Sequence, residues 1–308
     1  MEENVVEVRN FRKTYKDLVA VEDISFSVRR GEIFGLLGPN GAGKTSTLES
    51  LEGLRQPDGG SLRIQGVDPA RQPRKLRDLI GVQLQASTLP ASMTPLEAMR
   101  FFCTYHRVAP RNDLLEEFGL GEKLKTQFSM LSTGQQRRLA LALAIAHQPP
   151  VLLLDEPTAG LDVPARVELH SRLDKLRMNG TTIILATHDM AEAEKMADQV
   201  AILLKGQIAA AGTPTQLTAR GAGLVKISVS SSASSLQPGG ENFPGVQRWF
   251  SEGDYTYFFS EDAGLSVPAI LESLKNRNDA LVDLRVERPS LEERFLEITQ
   301  DAPGKGAE

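Results

Sequence analysis

The chain has 308 residues, 41% of them hydrophobic, and a formal net charge of −5. That size and apolar fraction can fill one large core and one small one, while the negative balance leaves no excess of cations for a nucleic-acid backbone or an anionic bilayer. The lone Cys103 excludes an intramolecular disulfide, and the acidic start Met1-Glu2-Glu3-Asn4 lacks the charged-then-apolar pattern of a secretory signal, so a reducing, cytoplasmic setting is expected.

In chain order, Val5–Val8 and Ile24–Val28 alternate apolar with polar residues and predict an antiparallel edge sheet. Ile33–Leu37 is a short continuous apolar run, as are Leu79–Leu84, Val151–Leu154 and Thr182–Ala186. Such runs predict parallel strands buried on both faces, and their alternation with helical segments over the first 220 or so residues predicts an α/β domain.

Directly after Leu37 comes Gly38-Pro39-Asn40-Gly41-Ala42-Gly43-Lys44-Thr45, followed by Ser46. It fits G-x-x-x-x-G-K-[ST] in the strand-to-helix setting that the motif requires. Glycine lets successive N–H groups curl round phosphate oxygens, Lys44 adds a point charge, and the Thr45 hydroxyl can ligate Mg2+. The second strand, ending at Leu84, is followed at once by Gln85.

From Thr94 to Met130 the pattern is helical without a strand signal, which predicts a helical insertion. Ser132 with Gln135 forms a capping box that opens a helix through Ala146. The Ala-rich segment Leu139–Ala146 ends at His147 and Gln148, and no apolar stretch reaches the roughly 20 residues of a membrane span. Any membrane part would have to come from another chain.

Val151–Leu154 delivers Asp155 and Glu156 at its carboxyl end. Asp155 can hold the hydration shell of Mg2+, and Glu156 can polarise a water for attack on a γ-phosphate. His188 follows the run that ends at Thr187, so Gln85, Asp155, Glu156 and His188 all lie just beyond strand ends, on the edge where parallel sheets bind ligands.

Near 219–223 the composition loosens, and Ser230–Gly240 is rich in Ser, Gly and Pro. A second small domain is expected from about residue 222. Alternating Val225, Ile227 and Val229, a hairpin turning at Glu252-Gly253-Asp254, and alternating Val282, Leu284 and Val286 give its strands. The pair Ser290 and Glu293 caps a final helix with Leu291, Phe295 and Ile298 on one face.

At Leu131-Ser132-Thr133-Gly134-Gln135 the chain resembles the signature of ABC ATPases, usually written LSGGQ, with Thr133 where glycine is usual. The order of phosphate loop, Gln85, signature, Asp155-Glu156, Gly160-Leu161-Asp162 and His188 is similar to that of ABC nucleotide-binding domains. The resemblance implies an α/β fold in which a P-loop nucleotide-binding domain over 1–221 has a mixed sheet core, an antiparallel edge sheet and a helical subdomain over about 94–147. A small α+β domain over 222–300 and a disordered tail over 301–308 complete the expected organisation.

It further implies ATP and Mg2+ as ligands, with Tyr15 stacked on the adenine and residues Gly38 to Ser46 around the phosphates. Gln85 would contact the metal and the attacking water, and His188 the γ-phosphate. Ser132, Thr133, Gly134 and Gln135 would reach the ATP of a second copy, with Asp162 at the dimer seam. The run Pro289-Ser290-Leu291-Glu292-Glu293-Arg294-Phe295-Leu296 looks like the tail of ATP-binding subunits from drug-efflux exporters, which work with a permease in a separate chain.

A homodimer docked on the cytoplasmic side of such a permease is therefore expected, with no nucleic acid as partner. The alternative is an ABC-type ATPase that works without a permease. The short distance between Lys44 and Leu131 leaves no room for the long heptad arms of chromosome-type members, and there is one phosphate loop, not two. A P-loop kinase or GTPase would have no use for the signature, and the chain has no Asn-Lys-x-Asp guanine motif.

Overall fold

A computed structural model describes residues 3–84, 89–219, 224–236, 242–287 and 290–301. The chain divides into two compact units, Met1–Pro214 and Thr215–Glu308. The division falls at the start of helix Pro214–Ala219, ahead of the boundary expected between residues 221 and 222.

In the first unit, strands Asn4–Tyr15 (β1) and Leu18–Arg29 (β2) form a long antiparallel hairpin. Ile33–Leu37 (β3) is followed by helix Lys44–Leu51 (α1), strand Gly59–Ile64 (β4) and the short helix Pro73–Leu76 (α2). Next come Ile80–Gln83 (β5) and helices Pro95–Tyr105 (α3), Asn112–Glu117 (α4) and Thr133–Ile145 (α5). The unit closes with Val151–Asp155 (β6), Val163–Met178 (α6), Thr182–Thr187 (β7), Met190–Met196 (α7), Gln199–Leu204 (β8) and Gln207–Gly212 (β9).

Two sheets result. One is the antiparallel set β2-β1-β4, and the other runs β5-β6-β7-β3-β8-β9, parallel except for the last pair. Every residue of β3, β6 and β7 is buried, as their continuous apolar sequences require. Val6, Phe11 and Ile24 of the antiparallel sheet share one core with Leu48 and Leu51 of α1 and with Leu36, Leu153 and Ile184 of the larger sheet. Phe26 and Phe34 stack across that junction at 4.8 Å. Helix α1 is thereby clamped by apolar contact on both sides, which fixes the direction of its first turn.

The structure departs from the sequence reading in three strands. β4 begins Gly59-Gly60, which reads as a turn, yet Gly60 has φ +72 and a β-carbon there would lie 2.1 Å from the Asn10 carbonyl oxygen. Only glycine lets this strand approach β1 so closely. β8 and β9 pair through a hairpin at Lys205-Gly206, and the Ala-rich β9 carries too few branched residues to signal a strand. The helical region begins at a capping box of Thr94 and Glu97 with Pro95 at the first position.

The second unit pairs Val225–Ser231 (β10), Val246–Glu252 (β11), Tyr255–Ser260 (β12) and Leu281–Glu287 (β13) in the order β11-β12-β10-β13. The hairpin turns at Gly253, φ +59. Helix Ala263–Asn276 packs Ile270 and Leu274 onto Ile227, Val229 and Phe258, a helix that Pro268 masks in the sequence. The last helix, Leu291–Asp301, is capped by Ser290 and Glu293 through bonds of 3.0 and 3.2 Å. Pro289 and the tail from 302 lie outside the described residues.

Buried Asp279 organises the segment after β10. Its carboxylate accepts from the Ser231 hydroxyl at 2.8 Å, the Ser232 hydroxyl at 3.1 Å, the Ala233 N–H at 2.7 Å and the Ser235 N–H at 2.9 Å. Burial opposes its charge, but hydrogen bonds from Ser235, Ala233 and Ser231 outweigh burial and hold the pKa well below the usual carboxylate range. A depressed folded-state pKa gives stability that is present above the unfolded value of about 3.9 and is lost as pH falls through the folded one. Thermal melts across acid pH should show this unit losing stability in that window, and Asp279→Asn should lower the melting temperature at neutral pH and flatten the acid dependence.

Candidate functional site

The site grows from the end of β3. Gly38, Gly41 and Gly43 have φ of +151, +81 and +106, values that side chains with a β-carbon resist. A β-carbon at Gly38 would lie 2.4 Å from the Leu203 carbonyl oxygen, and one at Gly43 would lie 2.6 Å from that of Ala20. Gly43 also occupies the N-cap of α1 and offers no side-chain cap. The N–H groups of the first turn are left for a ligand, at the end of the helix where partial positive charge gathers.

Lys44 folds back over this loop, with only 5% of its surface exposed. Its Nζ donates to the carbonyls of Gly38 at 2.6 Å and Pro39 at 3.2 Å, and lies 3.9 Å from Glu156 Oε1. Burial pushes the ammonium pKa down, while Glu156 and Asp155 pull it back up. The Thr45 hydroxyl donates to Asp155 Oδ2 at 3.2 Å. Burial raises the Asp155 pKa, partly offset by that bond from Thr45.

Glu156 sits just past β6 in the left-handed region, φ +50, with its N–H bonded to the Ala186 carbonyl at 2.9 Å. That anchor to the neighbouring strand turns its carboxylate toward the end of β7. There Oε1 meets His188 Nδ1 at 2.8 Å, and Oε2 accepts from the Thr187 hydroxyl at 3.5 Å. The imidazole of His188 is exposed while Glu156 is almost wholly buried. The result is a line of polar contacts from Lys44 through Glu156 to His188 along the carboxyl edge of the sheet.

A cleft of about 500 Å3 opens above the loop. Of the expected site residues, Tyr15, Pro39, Asn40, Gly41, Gly43, Lys44, Thr45, Ser46, Asp155 and Glu156 line it. Gly38 and Ala42 shape the loop from behind, Ala42 being buried against the core. Tyr15 is half-buried at the far end, with Lys13 Nζ 5.4 Å and the Arg55 guanidinium 5.9 Å from its ring centre. Gln85 lies outside the described residues.

Leu18, Val19, Ala20 and Lys205 also line the cleft and were not foreseen. The first three form a wall from β2, and the hairpin holding Lys205 is brought there by contact of Gly206 with Ala42 and Glu22, through bonds of 3.2 and 2.7 Å. The Lys205-Gly206 pair signals a turn, but nothing local says where that turn lies.

Ser132, Thr133, Gly134, Gln135 and Asp162 do not line this cleft. Ser132 caps α5: its N–H donates to Gln135 Oε1 at 2.9 Å and its Oγ accepts from the Gln135 N–H at 3.3 Å. Asp162 caps α6 by accepting from the Ala165 N–H at 2.9 Å. The two caps are neighbours, since a β-carbon at Gly160 would sit 3.8 Å from Thr133 Cγ2, and one at Gly134 would sit 3.8 Å from Leu161 Cδ2. One chain thus carries two separate groups of motif residues, one round the phosphate loop and one at the paired helix starts.

The family model described as "ABC transporter" matches residues 21–159. Nod factor export ATP-binding protein I of Paraburkholderia xenovorans (strain LB400) is 36% identical over 307 residues, covering 97% of this chain and 98% of that protein. The protein of the same name from Burkholderia orbicola (strain AU 1054) is 40% identical over 218 residues, 69% of this chain and 72% of that one. Among solved structures, an ATP-binding subunit of an ABC transporter matches with TM-score 0.65 and 30% identity over 69% of this chain and 91% of that chain. A dimeric ATP-binding cassette in a post-hydrolysis state, bound to ADP and Pi, matches with TM-score 0.63 and 27% identity over 68% and 98%.

The glycine geometry gives a paired expectation. Gly43→Ala adds both backbone strain and a collision with the Ala20 carbonyl, whereas Gly41→Ala adds strain in open space. Strain at such positions is worth on the order of 1–3 kcal/mol. Urea denaturation should therefore show a loss of stability for Gly41→Ala within that range and a larger one for Gly43→Ala.

Proposed function

Because this chain belongs to the ABC transporter ATP-binding family, we propose that it works as a dimer that closes over two ATP molecules and drives a separate membrane permease in the direction of export. The family and the post-hydrolysis, ADP- and Pi-bound state of a solved relative identify the chain as an ATP-binding cassette with ATPase activity. The observation that carries the dimer is the separation of the two motif groups: Ser132 to Gln135 do not line the cleft formed by their own phosphate loop. A signature at the positive end of α5 has an anion to meet only if a second copy presents its own cleft.

Within each site, the loop from Gly38 to Ser46 would cradle the phosphates and the Tyr15 ring would stack on the adenine. Base stacking on an aromatic face is worth about 1–3 kcal/mol. The residues present fit Mg2+: Thr45 Oγ1 and Asp155 Oδ2 are hard oxygen donors 3.2 Å apart. Among the described residues no cluster of three or more His, Cys, Asp or Glu could hold a metal alone. That suits an ion taking its other ligands from phosphate and water. When bound, Mg2+ would neutralise charge on the β- and γ-phosphates.

Thr45 would then contact the ion directly and Asp155 through water, with Gln85 joining them. Lys44 would exchange its carbonyl partners for phosphate oxygens. Glu156 would polarise the attacking water, and the exposed His188, already bonded to Glu156, would contact the γ-phosphate. Asp162 would meet its counterpart at the dimer seam.

The export direction is proposed from the names of the relatives, which are export ATP-binding proteins. No helix among the described residues is long and apolar enough to cross a membrane, so a permease in another chain would hold the complex on the cytoplasmic face. The helical region after β5 would take up its contact with that permease. Differential stability of the closed dimer with ATP and with ADP is what converts hydrolysis into movement.

Two substitutions separate binding from chemistry. Glu156→Gln should lower steady-state ATP hydrolysis by about 100-fold or more while size-exclusion chromatography with ATP shows a trapped dimer; hydrolysis at the normal rate would remove Glu156 from this role. Lys44→Ala should weaken nucleotide binding itself in equilibrium dialysis, and unchanged affinity would contradict the phosphate assignment.

A further inference from the structure

β5 ends at Gln83, whose side chain has no use in the scheme above. It is 1% exposed, and neither Oε1 nor Nε2 has a hydrogen-bond partner among the described residues. A fully buried amide with both ends unanswered is costly, and native cores rarely retain one without a reason. Gln83 lines a cavity of about 10 Å3 together with Arg137, Arg138, Pro157, Leu161 and Arg172. Arg138 Nε and Arg172 Nε are likewise buried without a partner.

The charges of these two arginines are answered by Glu168, at 3.8 Å from Arg138 and 2.7 Å from Arg172. Their Nε–H groups are not. Residues lining one small cavity therefore hold three unanswered donor atoms and one unanswered acceptor. A space of about 10–15 Å3 suits a single water, which both donates and accepts. An anion such as chloride would answer the donors and leave Gln83 Oε1 unmet.

We infer that Gln83 is a positioning residue for ATP hydrolysis: its amide holds one ordered water in this cavity, and that water ties β5 to α5 through Arg138 and to α6 through Arg172, beside the loop that follows Glu156, whose Pro157 and Leu161 line the same cavity. The elements it joins are those that must stay in register at the site. Arg137 Nη1 already donates to the Leu84 carbonyl at 3.3 Å, fastening the end of β5 to α5. The loop leaves Glu156 by tight turns, with the Ala159 N–H on the Glu156 carbonyl at 3.2 Å and the Leu161 N–H on that of Thr158 at 3.1 Å. A displacement of Leu161 is therefore passed to Glu156 through few bonds. The inference rests on the reading of Glu156 as the group that polarises water.

The test uses the full chain and three variants. Gln83→Met keeps the length of the side chain and deletes the amide; the expected result is a fall in kcat of about 10- to 100-fold, with KM for ATP and separately measured ATP affinity unchanged. Gln83→Glu, which can still bond the water and the arginines, should recover most of the rate. If Gln83→Met hydrolyses ATP at the wild-type rate and melts at a higher temperature, the amide is only a defect of the core and the inference is overturned. Glu156→Gln run in parallel keeps the two readings apart: full activity there would sink the role of Glu156, whereas an inactive Glu156→Gln beside a fully active Gln83→Met sinks only that of Gln83. Independently of how any variant folds, a high-resolution crystal structure of the wild-type chain should show a water within hydrogen-bond distance of the Gln83 amide, and a dry cavity would overturn the proposal.

Discussion

An ammonium group held in the interior at the mouth of a helix is the constraint from which the rest of the first unit follows. Lys44 rests on the carbonyls of Gly38 and Pro39 and faces Glu156, a set of contacts that keeps a desolvated cation tolerable. To reach those carbonyls the chain must reverse through left-handed backbone, and to face Glu156 it must sit near the end of β6, two strands away. β3 therefore lies in the middle of the sheet, with β7 beside it and β6 one strand further. The contacts that Lys44 makes with its own loop are those that a triphosphate would replace in the proposed complex.

Polar cross-links extend that arrangement. Glu156 holds His188 at the start of α7, and α7 is joined to α6 by Arg166 with Asp189 at 3.1 Å and by the buried pair His170 and Glu192 at 3.2 Å. Asp162, at the start of α6, is thus connected to Glu156 and His188 through two helices rather than through the cleft itself. In the proposed dimer, binding in the cleft and contact at the seam would influence each other by this route, because packed helices shift as units and not residue by residue.

How much of this could be read from the sequence depended on whether the signal was local. β3, β6 and β7 announce themselves as continuous apolar runs because both of their faces are covered, and the phosphate loop is contiguous, so its chemistry can be read without knowing the fold. The capping boxes at Ser132 and Ser290 are equally local, each confined to four residues. β4 was hidden because Gly60 serves a close approach to β1 that only the folded sheet reveals. Lys205 reaches the cleft only through the pairing of β8 with β9, and Val19 and Ala20 only through the placement of the hairpin. Gln83 carried no signal at all: a glutamine at a strand end is ordinary until its amide is found buried.

The central claim is that this buried cradle exists to take a triphosphate. Isothermal titration calorimetry of the nucleotide-free full chain with Mg-ATP tests it most directly. The account predicts saturable heat at one ATP per chain, abolished when ATP is replaced by adenosine. Absence of any saturable uptake by the folded protein would contradict it.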